Sequence, residues 1–571
     1  MNDFGRHAGV TSADRTIPDG ARTPFSMRRA QEGVAPTYVF WTSTIVALML
    51  IVWPAHFPMV DAPNHLARLY ILHAPGGSIL RQMYDFSFSL IPNLGLDLVY
   101  LALEKVVTPE QAIMLCLFTS VTLISTSSFI IQRALFGRMS WSMAFVPIFI
   151  FGSVWFMGYI NYLLGVGCAL AGLALFIRSG GKLSLVHGAL LSMIGVTTLI
   201  CHVAAFGAFA ILLGSLECAD ELSNPRRLVS REFLKKIARL CLVFSPSLIL
   251  YAVCQKPDYS AGVTFNPVEK LLLPLFSTLG TGTECDYALF LAAVAAFVVF
   301  CLCGEFRIWR RGRPALVLFA IVVLALPGSI GTAVDVDSRL MIILVIVALS
   351  MSEIRISASE IPPPLPFVTM ALLVGLRFGS VLYDESEYDQ HVANLKQVAE
   401  AIPVGRKVLV VSDTLTRQDC TVANEEFGGH ILSRHFGGFL TIDRNDFTPL
   451  IFTGKGMQPI QPRGAYAKIS SSASVPVTIR ILAMADDPSQ ASRLAAIMAE
   501  KRQDNYVLDW RRSFDYMMIL HSGCARNPFP RDLREVARGD IFAIYQIGQS
   551  DRAPTPREAS SASGAADGVR Y

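Results

Sequence analysis

The chain has 571 residues, 52% of them hydrophobic and only 16% charged, with a mean hydropathy of +0.46 and a formal charge of +4. A soluble protein carries about a quarter charged residues, so an ordinary water-soluble globule is excluded. The basic clusters are short and lack interleaved aromatics, which excludes a nucleic-acid-binding surface.

The apolar content comes in blocks of membrane-spanning length, as in a polytopic α-helical membrane protein. Residues 1–36 are polar, with Arg15, Arg22, Arg28 and Arg29, and read as a disordered cytoplasmic tail. The run TYVFWTSTIVALMLIVW (37–53) is the first span; no small-residue cleavage site follows it, so it is an uncleaved anchor. Residues 57–109 form a long external loop with two amphipathic stretches, HLARLYILHAP and LGLDLVYLALEKVV.

Further spans are expected near 110–132, 141–157, 160–177, 184–199, 203–218, 238–254, 287–303, 315–331, 340–352 and 365–382. Basic residues fall in alternate loops: Arg133 and Arg138, Arg178 and Lys182, NPRRLVSREFLKK, RIWRRGR, and Arg355. The positive-inside rule makes those loops cytoplasmic and supports about eleven spans in an inner (plasma) membrane. NPVEKLLLPLFSTLGTGTE (266–284) is apolar but rich in Pro and Gly, and reads as an interfacial or re-entrant piece. The transmembrane domain thus covers 37–384.

Residues 385–548 then read as an extracytoplasmic α/β domain. RKVLVVSD, YVLDW, DYMMILH and IFAIYQI have strand patterns, and QASRLAAIMAEKR has helical periodicity. Residues 549–571 are a second disordered tail. Most of the eleven cysteines lie in apolar blocks and pack as small hydrophobes. Cys420 and Cys524, the two in the C-terminal domain, would be able to pair in an oxidising compartment.

The unusual polar residues collect on the external side. PMVDAPNHLARLY places Asp61, His65 and Arg68 on one face of a helix at the membrane lip. MGYINYLLG adds Tyr159 and Asn161, LICHVAAF adds His202, and TAVDVDSRL adds Asp335, Asp337 and Arg339. Ionisable groups beside spans line cavities or face water, and charges of both signs suit a charged head group. Each also has a structural reading: Asp61 as a helix cap, His65 and Arg68 as snorkelling groups, and His202 and Asn161 as packing residues. Asp335 and Asp337 read equally as solvated loop charges. Their DVD spacing is that of a DxD metal motif; the sequence neither requires a divalent metal nor chooses one.

An inward-starting first span, followed by an acid opening a long external loop with amphipathic helices, resembles the GT-C superfamily of membrane glycosyltransferases. The paired DE or ExD acids of better-known members are absent. VDAPNHLAR, GYINYLLG, CHVAAF and RNDFTPLIF are together similar to bacterial membrane proteins of that general class. The resemblance implies a transferase of the cell envelope that takes a sugar from a polyprenyl-phosphate donor and passes it, with inversion, to a lipid, glycan or protein acceptor. It implies Asp61 as catalytic base, with His65, Arg68, Tyr159, Asn161, His202, Asp335, Asp337 and Arg339 around the substrates and membrane lipid around the spans. Two other classes fit the composition: a non-catalytic component of polysaccharide assembly or export, and a transporter. A transporter is expected to show repeat symmetry and mid-membrane polar groups, and neither is visible.

The loop charges make a topological prediction. A compartment-sensitive reporter fused after Ile547 is expected to be active only outside the cytoplasm; cytoplasmic activity there would invert the assignment.

Overall fold

The computed structural model describes residues 33–86, 89–181, 183–255, 262–278, 284–331, 333–356, 362, 364–413, 426–427, 430–471, 474–501, 505–520 and 527–548. Most of tail 1–36, all of tail 549–571, Cys420 and Cys524 lie outside them. Among the described residues, six helices are long and apolar enough to cross a membrane. They include α1 (Val34–Val52), α2 being the short helix Ala62–His73 that follows it, then α3 (Pro109–Phe136) and α4 (Ile160–Arg178). The others are 231–253, 285–302 and the long helix 364–399.

Local chemistry sets several ends. α3 opens on a capping box between Thr108 and Gln111 and stops at Gly137, whose φ of +72° ends the helix without Cβ strain. α4 is the most enclosed span, with 83% of its apolar window buried. Its Gly167 meets Leu123 of α3 so closely that an added Cβ would lie 2.9 Å from that residue's Cβ, the small-residue packing usual between spans.

Several expected spans take another form. Residues 141–157 are not one helix but a 3-10 turn (Trp141–Phe145) and two short helices, Val146–Ile150 and Ser153–Phe156. The break is at Gly152, whose added Cβ would lie 2.6 Å from the Ser277 carbonyl oxygen. The freed carbonyl of Phe151 accepts from Arg377, which also pairs with Asp286 at 2.5 Å. Such re-satisfaction is what lets a broken helix persist at membrane depth. The pieces at 315–331 and 340–352 are the shorter helices Gly312–Ala325 and α5 (Val336–Ser350). Residues 267–278 form a short helix containing Pro274. The boundary expected at 384/385 falls inside α6 (Pro364–Ala399), which runs through it unbroken.

The C-terminal part carries a five-stranded mixed sheet. β1 (Tyr84–Phe86), β2 (Gly304–Ile308) and β3 (Ser352–Ile356) lie outside it. Its members are β4 (Val408–Ser412), β6 (Val477–Thr478), β7 (Tyr516–Leu520), β8 (Leu533–Arg538) and β9 (Phe542–Ile547); β5 (Ile460–Pro462) lies elsewhere. The order is β6-β4-β7-β9-β8, with β4 parallel to β6 and β7, and the other pairs antiparallel. β4 and β7 are buried along their whole length, as continuous apolar runs require at a sheet centre. YVLDW is not a strand: it forms a 3-10 turn at 505–507 and the start of helix Trp510–Ser513, with Trp510 buried. Tyr506, Val507 and Trp510 are buried, whereas Leu508 and Asp509 are exposed, so the segment packs by single side chains rather than as a rung.

This part closes over the 57–109 loop. β5 pairs antiparallel with β1. Helix α7 (Gly437–Arg444) packs on α2, and an added Cβ at Gly438 would lie 2.6 Å from the Pro63 carbonyl oxygen. Gly438→Ala therefore forces the two helices apart, with an expected cost of about 1–3 kcal/mol. Thermal unfolding in detergent should show the loss. Gly375→Ala, in open space on α6, should leave the midpoint nearly unchanged.

Candidate functional site

Asp61 stands where α2, the 146–158 segment and the C-terminal part meet. The chain before it is tied to the broken segment: Val60 N–H donates to the Phe156 carbonyl at 2.8 Å and Asp61 N–H to Met157 at 3.2 Å. Gly158 makes this approach feasible. Its φ is +76°, and an added Cβ would lie 3.1 Å from the Asp61 nitrogen. Asp61 occupies the N-cap position of α2, yet its side chain caps nothing. Instead its Oδ1 lies 3.2 Å from Nδ1 of His435, close enough for an ion pair but without hydrogen-bond alignment. The carboxylate keeps 16% side-chain exposure, whereas His435 is buried. His435 Nε2 is 3.0 Å from the Ser474 carbonyl, so that nitrogen carries a proton and the ring is held with Nδ1 toward Asp61.

A second group adjoins the first. Tyr159 donates its hydroxyl to Asp335 Oδ2 at 2.6 Å and stacks under Arg339, whose guanidinium carbon is 3.7 Å from the ring centre. Tyr159 is within electrostatic reach of Asp61 as well as of Asp335 and Arg339. Asp335 adopts a left-handed conformation, φ +54°, at the start of α5. His202 accepts the Ala204 N–H on Nδ1 at 3.1 Å, so its neutral ring carries the proton on Nε2. That nitrogen lies 3.1 Å from Arg339 Nη1, which sets two donors side by side. Arg339 Nε is also buried without a hydrogen-bond partner. Tyr162 donates to the Arg339 carbonyl. Arg434, half-buried, feels the charges of Asp61, Tyr159 and Asp335; burial holds its guanidinium below the usual arginine range.

Thus Asp61, Tyr159, His202, Asp335 and Arg339 come together, and four of the residues singled out from the sequence do other things. Arg68 is fully buried: Nε and Nη2 bind both oxygens of Asp97 at 2.8 and 2.9 Å, and Nη1 binds Gln458 at 2.5 Å. Asn161 holds the loop backbone, accepting from Leu96 N–H at 2.6 Å and donating to the Asn93 carbonyl at 2.8 Å. Asp337 pairs with Lys270. His65 packs edge-on against Phe452, which His435 meets from another side. Burial, then Arg68 and His435, hold the His65 imidazole well below its usual value, so it is neutral at pH 7. With Asp335 on Tyr159 and Asp337 on Lys270, the DVD acids serve different partners. Among the described residues no group of three or more His, Cys, Asp and Glu side chains gathers as metal ligands.

His435 and Arg434 carried no signal in the sequence, because a His–Arg pair in an aperiodic segment looks like surface. RNDFTPLIF did carry one. It supplies Phe452, and its Leu450 carbonyl accepts from Asn64 at 2.9 Å. Each of the four quoted motifs therefore reaches this junction.

No family model and no curated protein matches the chain. Among solved structures, the crystal structure of ArnT from Cupriavidus metallidurans in the apo state is similar, with 10% identity and a TM-score of 0.42, over 91% of this chain and 99% of that one. A likeness this distant bears on neither activity nor individual residues.

The Arg68–Asp97 pair generates a stability prediction. Arg68→Met leaves the Asp97 carboxylate buried and unpaired, with an expected loss of about 3–5 kcal/mol. Arg68→Met with Asp97→Leu should recover most of it, measured as the unfolding midpoint in detergent. A double variant no better than the single one would refute the pairing account.

Proposed function

We propose that the chain is a membrane glycosyltransferase of the GT-C type, moving a sugar from a polyprenyl-phosphate carrier to a lipid, glycan or protein acceptor outside the cytoplasm. The observation that carries this reading is Asp61: a partly exposed carboxylate making no capping bond, with the His435 Nδ1 3.2 Å from its Oδ1. An acid used only to start a helix would bond its own backbone N–H groups.

In this reaction the acceptor hydroxyl approaches Asp61 and gives up its proton as its oxygen attacks the anomeric carbon. The bond from that carbon to the phosphate oxygen breaks, and the lipid phosphate leaves with the electron pair. His435 Nδ1, 3.2 Å away, steadies the proton that Asp61 has taken up. The leaving phosphate is acidic enough to depart unprotonated and needs donors. Arg339 Nε, buried without a hydrogen-bond partner, and the His202 Nε2 beside Arg339 supply them, and Arg434 adds charge beside Asp61. The Tyr159–Asp335 bond holds the aromatic face on which Arg339 rests. Arg68, bound to Asp97 and Gln458, acts here as a positioning residue for α2.

The test uses the full chain in detergent with a panel of polyprenyl-phosphate sugars, reading release of polyprenyl phosphate. Asp61→Asn preserves shape but cannot take a proton at neutral pH. It should lose activity by roughly 10²-fold or more, with an unchanged unfolding midpoint because no capping bond is lost. Full activity in Asp61→Asn would remove Asp61 as base and favour the non-catalytic assembly reading.

A further inference from the structure

The far end of the helical body holds a separate site. α1 begins and α3 ends around a cavity of about 740 Å³ lined by Arg133, Arg138, Arg307 and Arg355, with Thr37 and Tyr38. The 19 residues of α1 place it roughly 28 Å from the Asp61 end. Its volume is within the range of about 300–1,000 Å³ usual for small-molecule sites.

The arginines are arranged by their partners. Glu353, almost fully buried, takes Arg138 Nε on one oxygen at 3.1 Å and Arg355 Nη2 on the other at 2.8 Å. Glu305 takes Arg307 Nη2 at 2.9 Å and lies 3.6 Å from Arg355 Nη1. The antiparallel β2–β3 ribbon sets this pattern by placing Glu305 opposite Arg355 and Arg307 opposite Glu353. Two carboxylates thus orient three guanidinium groups, Arg133 lines the same cavity, and among the described lining residues and these partners arginines outnumber carboxylates. Guanidinium forks suit phosphate oxygens in particular.

The cavity also opens onto an exposed apolar surface. Val34, Tyr38, Ile45, Met49 and Val52 are exposed on α1. Their spacings of four, seven, four and three form one stripe running away from the arginines. Tyr38, beside the arginines, has the amphipathic ring that anchors at a membrane interface.

We infer that this cavity binds the phosphate of an anionic phospholipid, with the acyl chains lying along the Tyr38–Val52 stripe. A soluble phosphate would use the same arginines but not the stripe, so the two sources are separable. The purified full chain is titrated in detergent with phosphatidylglycerol, phosphatidylcholine or sodium pyrophosphate, and bound lipid is counted by native mass spectrometry. Phosphatidylglycerol should bind at least roughly tenfold better than phosphatidylcholine, and millimolar pyrophosphate should displace little of it. Arg133→Gln with Arg307→Gln spares the Glu353 pairs and should abolish the preference without moving the lipid-free unfolding midpoint. If that variant does not fold, Arg133→Gln alone should still reduce the preference several-fold. Equal binding of the two lipids, a preference that survives the substitutions, or full displacement by pyrophosphate would each overturn the assignment.

Discussion

A guanidinium with no exposure to water organises the half of this molecule that carries Asp61. Removing Arg68 from solvent costs several kcal/mol unless its donors are satisfied, and here Asp97 and Gln458 satisfy them. Those partners come from the loop helix at 95–103 and from the C-terminal part, so a single side chain on α2 ties three segments together. Asn64, one turn earlier, binds the Leu450 carbonyl. Asp61 is the N-cap of that helix, just ahead of Asn64, and its position follows from these two anchors.

The same economy of close contact recurs at the junction. Gly158 and Gly438 are sites where backbone meets backbone and a methyl group would collide. They bring the 146–158 segment and α7 against opposite ends of the first turn of α2. The break at Gly152 belongs to this arrangement: an unbroken helix over 141–157 would not turn residues 156 and 157 toward Val60 and Asp61. Polar groups at this junction are thereby held by rigid elements, which is what a proton-transfer geometry requires.

The molecule divides its charges between two ends. At one, an acid and a histidine stand near Arg339, whose Nε is buried without a partner, and the His202 beside it. At the other, arginines outnumber carboxylates around an open cavity. The first arrangement suits a reaction in which negative charge develops and moves; the second suits a fixed anion that stays bound.

Hydrophobic block length alone determined that this chain enters a membrane, where α1, α3 and α4 lie, and that short apolar runs such as VLVV and YMMIL become strands, because those signals are periodic and local. The motifs around Asp61, Tyr159, His202 and Phe452 were also legible, since polar residues beside apolar runs demand a reason. Only the tertiary structure decided what each polar residue touches. Arg68 meets Gln458 across 390 positions and Arg339 meets His202 across 137. Partners so far apart share no periodicity, and the sequence around His435 resembles any exposed segment. Whether a buried charge becomes an anchor, as at Arg68, or an unsatisfied donor, as at Arg339, depends on which distant group folding delivers to it. Desolvation makes that choice costly, but nothing in the local sequence encodes it.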